Sequence, residues 1–303
     1  MDATRRAHTS KPSNATRALI RWACALQALV SLFTGAYFSA SAQQQLRRES
    51  AASSQLNPTQ QEIERQRLRL ASPETEERRD AVMRLGWMAR PDSSRVAANA
   101  LRDSSAIVRA TAARAVLSLP PDEAANALLP LLQDRDEFVR RETAYALGET
   151  RSRAGVSALV VVLAEDKEPG VRGAAAVALG LIQDELAVVP LTQALARRVP
   201  ASGLLNRLRR SKKEENEFVR RSAARSLGQI RSRAAVPALT ATLMDERAGD
   251  DVRREAARAL GLIGDPSAIA ALRAVLTSRD PYLSRLAYEA LRKIAPAEAT
   301  RPS

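Results

Sequence analysis

The residue types that most often carry chemistry in proteins are scarce in this sequence. It contains one histidine, His8, and one cysteine, Cys24, too few for a disulfide or for a metal site with several His or Cys ligands. No Gly-x-Ser-x-Gly motif, phosphate-binding glycine loop or metal-ligand spacing occurs. Carboxylates such as Glu142 and Glu255 have the setting of ordinary helix-surface residues. The sequence therefore predicts no catalytic residue, no metal and no cofactor.

One segment of the chain concentrates positive charge. Residues 198–213 contain six basic residues and no acidic residue: Arg198, Arg207, Arg209, Arg210, Lys212 and Lys213. Leu204, Leu205 and Leu208 would lie on one face of a helix here. The favoured interpretation is a solvated loop whose charge is balanced by the glutamates that follow it. The alternative is a short amphipathic basic helix that contacts an acidic partner or anionic lipid headgroups.

The overall composition narrows the class of protein. Of the 303 residues, 45% are hydrophobic, and the chain has 12 Gly and 15 Pro, which excludes disordered, collagen-like and multi-span membrane proteins. The 47 Lys and Arg against 34 Asp and Glu give a formal net charge of +13. We interpret this excess as charge on solvated outer surfaces.

The elements that position these residues come from an internal repeat. From about residue 74, an acidic turn, Val-Arg, small residues, Leu-Gly, a second turn and a second apolar run recur along the chain. The residues in register with the Leu-Gly glycine are Gly86, Leu117, Gly148, Gly180, Gly228, Gly261 and Arg292. Their spacings are 31, 31, 32, 48, 33 and 31 residues, so the longest interval is one period plus the insertion at 198–213.

Within each period, the apolar residues have helical spacing. Val219, Ala223 and Leu227, for example, follow one another at four-residue intervals. A two-helix hairpin of this length cannot bury its apolar stripe alone, so neighbouring copies must stack. We therefore predict an all-α fold without a sheet. It is an α-solenoid of about six and a half helical hairpins over residues 74–295, followed by a tail at 296–303.

The repeat also carries a family resemblance. An Asp precedes the Arg of V-R-x-x-A-x-x-A-L-G by six residues, as in Asp103 and Arg109. These features, which cover about residues 74–294, resemble HEAT repeats of the phycobilisome-lyase type. The resemblance implies that such residues form a structural ladder between neighbouring copies rather than an anion site. The residues so implied are Asp103, Arg109, Asp134, Arg140, Asp166, Arg172, Arg220 and Arg253.

The resemblance further implies activities that the residues can be checked against. Deoxyhypusine hydroxylases of this repeat type hold two irons with His-Glu pairs, and this chain has no His-Glu pair. Phycobilisome chromophore lyases share the repeat, but no residue here marks a bilin site. HEAT-like DNA glycosylases need a basic concave groove with aromatic residues. In HEAT solenoids the second helices line the concave face, and here Arg273 is the one charge in four of those stretches. We therefore expect no nucleic-acid partner.

These observations favour a binding scaffold over an enzyme. We predict an exported, non-catalytic scaffold that binds a protein or peptide partner through the concave face of its solenoid. The alternative is an enzyme or enzyme subunit of the HEAT-like lyase or hydroxylase type, which the absence of His-Glu pairs disfavours. Trp87, in the first copy, is interpreted as a core or capping residue; the alternative is a binding contact.

The N-terminus has the pattern of an export signal. Residues 1–21 contain five basic residues and one acidic residue, an apolar run follows at 22–38, and Ala40 and Ala42 lie at the two positions that signal peptidase recognises. This pattern predicts a signal peptide over residues 1–42 and a periplasmic or secreted protein; the alternative is a single uncleaved membrane anchor. Residues 43–73 are predicted to form a polar linker with at most one exposed helix.

Overall fold

The computed structural model describes residues 57–200 and 212–298 of the chain. The chain divides into two compact units, residues 1–62 and 63–303, and all the repeats lie in the second.

Fourteen α-helices occur in the described residues. They are α1 (Pro58–Arg69), α2 (Thr75–Trp87), α3 (Pro91–Ala97), α4 (Ala106–Ala115), α5 (Pro121–Leu128), α6 (Glu137–Thr150), α7 (Val156–Glu165), α8 (Pro169–Ile182), α9 (Val188–Ala196), α10 (Glu217–Ile230), α11 (Val236–Met244), α12 (Asp250–Ile263), α13 (Ile269–Ala274) and α14 (Pro281–Ile294). From α2 onward, even numbers mark the first helix of each repeat and odd numbers the second. Six hairpins and a final first helix confirm the predicted α-solenoid.

The core lies between the two layers of helices. Each first helix contacts the first helix of the next repeat, and each second helix or its 3-10 extension contacts the first helix that follows it. The largest fully buried side chains are leucines from both layers: Leu85, Leu128, Leu147, Leu159, Leu163, Leu179, Leu191, Leu195, Leu227, Leu239, Leu243 and Leu260. Every hairpin therefore depends on its neighbours for the burial of its apolar stripe.

Side chains in the turns fix where each helix begins and ends. Asp136, Asn216 and Asp280 cap α6, α10 and α14 by accepting a hydrogen bond from the backbone N–H two residues later. Four first helices end at a residue with positive φ, which turns the chain toward the second helix. These residues are Arg151, Gln183, Arg231 and Gly264.

Helix α1 is less exposed than the sequence predicts. Residues 43–73 were expected to form a polar linker with at most one exposed helix, and α1 does lie in that segment. However, Gln66 is buried, and Ile63 and Leu70 pack against the hydrophobic core. These three residues lie on one side of the helical path, and that side joins the core of the repeats.

The insertion contains a short two-stranded ribbon, so the expectation of no sheet is wrong at this place. Strands β1 (Arg198–Pro200) and β2 (Lys212–Glu214) pair antiparallel, with Arg198 opposite Glu214. The insertion leaves the end of α9 and returns to the start of α10, and these two helices are in contact. Its two ends therefore run side by side in opposite directions, which suits an antiparallel pair.

The predicted basic cluster is only partly within the described residues. Three members lie in the strands: Arg198, Lys212 and Lys213. The other three, Arg207, Arg209 and Arg210, lie outside the described residues, as does the amphipathic helix expected around them. Contact of this cluster with an acidic partner or an anionic membrane surface stays a prediction.

The predicted export signal also falls outside the structure. Residues 1–42, with the apolar run at 22–38, precede the first described residue. Within residues 57–200 and 212–298, no helix combines the length and the apolar character needed to cross a membrane. The signal peptide and the anchor alternative both stay predictions.

Candidate binding face

A ladder of arginine–carboxylate pairs joins neighbouring repeats. In one rung, Arg109 Nε and Nη2 donate to the two carboxylate oxygens of Asp134 at 2.7 and 2.8 Å, while Nη1 donates to the backbone carbonyl of Asp103 at 2.8 Å. Arg109 thereby holds the turn of its own repeat and the carboxylate of the next one. The five rungs in the described residues are Arg78–Asp103, Arg109–Asp134, Arg140–Asp166, Arg172–Glu215 and Arg254–Asp280.

The insertion changes the rung that it interrupts. Arg172 reaches across the insertion to Glu215, whose side chain is 1% exposed, with Nη2 and Oε1 at 2.6 Å. Arg220, implied for the ladder, donates to the backbone carbonyls of Leu195 and Ala248. It therefore ties the end of α9 to the loop before α12 through main-chain oxygens.

The last rung uses a different arginine from the one implied. Arg253 is in ladder register, but its Nε donates to the backbone carbonyl of Leu243. Its neighbour Arg254 binds both carboxylate oxygens of Asp280, at 2.8 and 3.0 Å. The assignment of Arg253 to a carboxylate rung is corrected accordingly.

Sequence reasoning missed four members of the ladder: Arg78, Glu215, Arg254 and Asp280. Arg78 could have been found, because it precedes Arg109 by 31 residues, which is one period. Glu215 and Arg254 each lie one residue away from the position that the period indicates, so no spacing signal marks them.

Burial and pairing act in opposite directions on the ladder carboxyls. Burial alone would raise the pKa of Asp134, yet hydrogen bonds from Arg109 and from a backbone N–H hold that pKa below its usual value. The same balance lowers the pKa of Asp166. For Asp103 and Asp280, the hydrogen bond from the partner arginine is the largest influence, and it lowers the pKa.

These pKa values predict how stability changes with pH. Unfolded Asp has a pKa of about 3.9, so near this pH the unfolded chain binds more protons than the folded ladder. The stabilisation is complete above the unfolded pKa and is lost as the pH falls through the lower, folded pKa. We expect the urea midpoint to drop steeply below about pH 4, and less steeply in Asp134→Asn, which has one ladder carboxyl fewer. Circular dichroism at each pH measures the midpoint; a constant midpoint down to about pH 2 would contradict the prediction.

The first helices approach one another closely at the Leu-Gly glycines. A Cβ on Gly148 would lie 2.6 Å from the Cα of Ala178, and a Cβ on Gly228 would lie 2.7 Å from the Cα of Ala259. Non-bonded carbons prefer separations of about 3.5–4.0 Å, so no larger residue fits without movement. The outward side chains of α2, α4, α6, α8, α10, α12 and α14 form what we call the first-helix face.

Every aromatic residue of the described chain belongs to a first helix. These residues are Trp87, Phe138, Tyr145, Phe218, Tyr282 and Tyr288. Three of the rings lie beside arginines, with Arg141 at 5.3 Å from the ring centre of Phe138, Arg254 at 5.1 Å from that of Tyr282 and Arg292 at 6.0 Å from that of Tyr288. Aromatic residues and arginine are the side chains most enriched at binding hot spots. The first-helix face is therefore the candidate binding face.

Near its N-terminal end, the first-helix face contains an apolar groove of about 510 Å³ lined by α2, α4 and α6. We call it the tryptophan groove; its apolar lining includes Met83, Trp87, Ile107 and Phe138. The sequence interpretation of Trp87 as a core or capping residue is wrong with respect to the core, because this side chain is 75% exposed. Its indole ring is open to a partner.

Toward its C-terminal end, the first-helix face contains a second groove of about 780 Å³, lined mainly by α10, α12 and α14. We call it the cationic groove, because its basic residues outnumber its acidic ones. The basic residues are Arg221, Arg225, Arg254, Arg258 and Lys293; the acidic residues are Asp251, Glu255 and Glu289. Leu262 and Leu286 add apolar surface to the same groove.

Neighbouring first helices are complementary in size and charge on this face. Phe218 of α10 lies over Gly173 of α8, where an added Cβ would come within 2.1 Å of the ring. Asp251 of α12 pairs with Arg221 of α10 at 3.4 Å. Contacts of this kind hold the groove side chains in place before any partner arrives.

The second helices present a different surface. Their exposed positions include Val161, Val189 and Met244, and in the described residues they carry no aromatic side chain. The prediction that a partner binds the concave face, which the second helices were expected to line, stays a prediction. The low charge that weighs against nucleic acid is a property of the second helices alone, so the lack of a nucleic-acid partner stays a prediction.

The carboxylates considered for catalysis contact arginines. Glu142 lies 3.7 Å from Arg114, and Glu255 lies 3.9 Å from Arg258. Within the described part of the chain, no three His, Cys, Asp or Glu side chains are grouped as metal ligands would be.

Comparison with family models gives two matches. The model for HEAT repeats matches residues 65–148, 125–202 and 243–302, and the model for the PBS lyase HEAT-like repeat matches residues 219–243. Together these matches extend over most of the repeats seen in the structure. No curated protein matches the chain significantly.

Several solved structures are similar to this chain. Escherichia coli YibA is 20% identical, with 78% of this chain and 81% of that chain covered and a TM-score of 0.54. The complex of CpcE and CpcF of phycocyanin lyase from Nostoc is 21% identical, with 78% and 87% covered and a TM-score of 0.46. Human deoxyhypusine hydroxylase is 23% identical, with 78% and 96% covered and a TM-score of 0.38. At these identities the likeness shows the fold alone.

Proposed function

The chain belongs to the HEAT-repeat family, and on this premise we propose that it is a non-catalytic scaffold that binds a protein or peptide partner. One observation carries the proposal: every aromatic residue of the described chain lies on the first helices, and four of the six line the two grooves of the first-helix face. Solenoids of stacked repeats offer extended surfaces of this kind to partners. The first-helix face is the surface that we assign to binding.

The contacts of Glu142 and Glu255 support a structural role for both. Each contacts an arginine on the first-helix face, so neither is placed as an unpaired acid or base. The alternative function is an enzyme or enzyme subunit that uses the solenoid to hold a substrate. Metal and cofactor analysis of the purified protein distinguishes the two, because the scaffold requires neither.

Export is part of the same proposal. It rests on the basic N-terminus, the apolar run at 22–38 and the small residues Ala40 and Ala42. The partner is therefore to be sought in the cell envelope.

Substitution of Trp87 tests the binding face. We expect Trp87→Ala to lower recovery of a partner cross-linked in envelope extract by at least about tenfold, because an exposed Trp at a hot spot contributes about 2 kcal/mol or more. The matched control is Leu186→Ala, since Leu186 is 73% exposed but lies in the turn before α9. Quantitative mass spectrometry of the cross-linked material measures both.

The two variants also show how the proposal fails. Equal losses would mean that recovery follows exposed apolar surface rather than a specific face. A loss with Leu186→Ala alone would move the binding face to the second helices. If the native chain recovers no partner, the scaffold function itself is contradicted.

A further inference from the structure

We propose that the cationic groove binds an acidic segment of the partner protein in extended conformation. The segment would place carboxylates on Arg225 and Arg258 and small apolar side chains against Leu262 and Leu286. This inference rests on the proposed scaffold function and specifies the chemistry of its partner.

The first support is the pairing of the charged residues in the groove. Arg254 binds Asp280 at 2.8 Å, and Arg221 lies 3.4 Å from Asp251. Arg225 and Lys293, by contrast, form no ion pair with any residue that the structure describes. The groove thus has basic groups whose charge is not neutralised by the chain itself, and a carboxylate is their complement.

Arg258 is only loosely engaged. Its guanidinium lies 3.9 Å from Glu255 of the same helix, and its side chain is 56% exposed. An exposed pair of this length contributes little to stability. Arg258 can therefore turn to an incoming carboxylate at small cost.

The repeat sets the spacing of the two arginines. Arg225 and Arg258 each follow the arginine in ladder register, Arg220 or Arg253, by five residues, so they hold equivalent positions on adjacent first helices. Packed helices lie about 8–10 Å apart. An extended chain in polyproline II conformation rises about 3.1 Å per residue with three residues per turn, so residues three apart lie on one face and about 9 Å apart. The geometry therefore fits carboxylates at every third residue of an extended segment.

The acidic and apolar groups of the groove favour a peptide over a nucleic acid. Asp251, Glu255 and Glu289 lie in the same lining as the arginines. A continuous chain of phosphates would meet these carboxylates as well as the basic groups, which weakens its binding. A peptide with spaced carboxylates and apolar residues between them can avoid the acidic positions and use Leu262 and Leu286.

A defined peptide tests the inference without knowledge of the natural partner. The probe is a fluorescein-labelled peptide of repeated Glu-Leu-Ser triplets, and the control probe has Lys in place of Glu. Fluorescence anisotropy with the full-length protein is expected to show saturable binding of the Glu probe that weakens as the salt concentration rises. Replacement of Arg225 and Arg258 by Ser should weaken this binding at least tenfold.

A matched variant removes the same charge elsewhere. Arg102 and Arg135 are exposed and do not line either groove, so Arg102→Ser/Arg135→Ser should leave binding of the Glu probe within twofold of the native chain. Circular dichroism confirms that both double variants are folded before binding is compared.

Four results would overturn the inference. They are no saturable binding of the Glu probe, equal binding of the Lys probe, equal losses of Glu-probe binding in the two double variants, and, in a competition assay, tighter binding of a single-stranded oligonucleotide than of the Glu probe. None of these results removes the scaffold function. If Trp87→Ala abolishes partner capture while the Arg225 and Arg258 variant retains it, the scaffold stands and the cationic groove is not its contact.

Discussion

Replacement of Arg140 by methionine is expected to lower the free energy of unfolding by about 3 kcal/mol, a large share of the stability of a domain. Arg140 donates to both carboxylate oxygens of Asp166 and to the backbone carbonyl of Asp134, and its side chain is 9% exposed. Without the guanidinium, the carboxylate of Asp166 stays buried and unpaired, which costs more than the pair itself contributes. Urea unfolding measures the loss.

Two companion variants identify the cause. Arg141→Met changes the next residue, which is 40% exposed, and should cost less than about 1 kcal/mol. Arg140→Met combined with Asp166→Asn should recover part of the loss, because an amide leaves no buried charge and its oxygen can still accept the N–H of Glu168. If Arg140→Met costs no more than Arg141→Met, the ladder does not hold the repeats together.

The ladder bears on the proposed binding as well as on stability. Each rung fixes the start of a first helix relative to the next repeat, and the glycine contacts fix how closely the two helices approach. The helices that carry Arg225 and Arg258 are therefore fixed relative to one another before a partner binds, so that only the two side chains have to be ordered. The ladder arginines and the proposed binding residues Arg225 and Arg258 are different residues of the same helices. Substitutions can therefore test stability and binding separately.

The regular repeats could be predicted from the sequence because their signals are local. The apolar spacing of Val219, Ala223 and Leu227 specifies a helix, and the Leu-Gly period specifies where the next helix packs. Both signals depend on short stretches that recur. The helical hairpins and the close approach at Gly148 follow from them directly.

The irregular contacts could not be predicted, because each depends on which of two adjacent residues in the sequence makes the contact. Arg253 and Arg254 have the same donor groups, but in the folded chain Arg254 donates to Asp280 and Arg253 donates to the carbonyl of Leu243. In the same way, the sequence contains Glu214 and Glu215 side by side, and the ribbon of the insertion leaves Glu215 to pair with Arg172. The grooves of the first-helix face were also hidden, since helical spacing shows which residues are exposed but not which layer forms grooves.

The second large effect concerns the glycine contacts. We expect Gly148→Ala to lower the free energy of unfolding by about 2–3 kcal/mol. The added methyl group would come within 2.6 Å of the Cα of Ala178 and 2.9 Å of its Cβ, so α6 and α8 would have to move apart. Because backbone atoms form this contact, no rotamer change relieves it. The gain in helix propensity from Gly to Ala, about 1 kcal/mol, offsets only part of the cost.

Gly155→Ala is the matched control for this change. Its added Cβ would lie 3.5 Å from Leu147 and 3.6 Å from Leu159, which is ordinary van der Waals contact. Gly155 also has a negative φ of −79°, which alanine adopts without strain. We therefore expect Gly155→Ala to be neutral or to stabilise the chain by about 0.4–1 kcal/mol, because alanine restricts the unfolded state. Opposite shifts of the urea midpoint in these two variants would show that the close contact between first helices, rather than helix propensity, determines the effect of Gly148→Ala. A stabilising Gly148→Ala would show that helix propensity determines it.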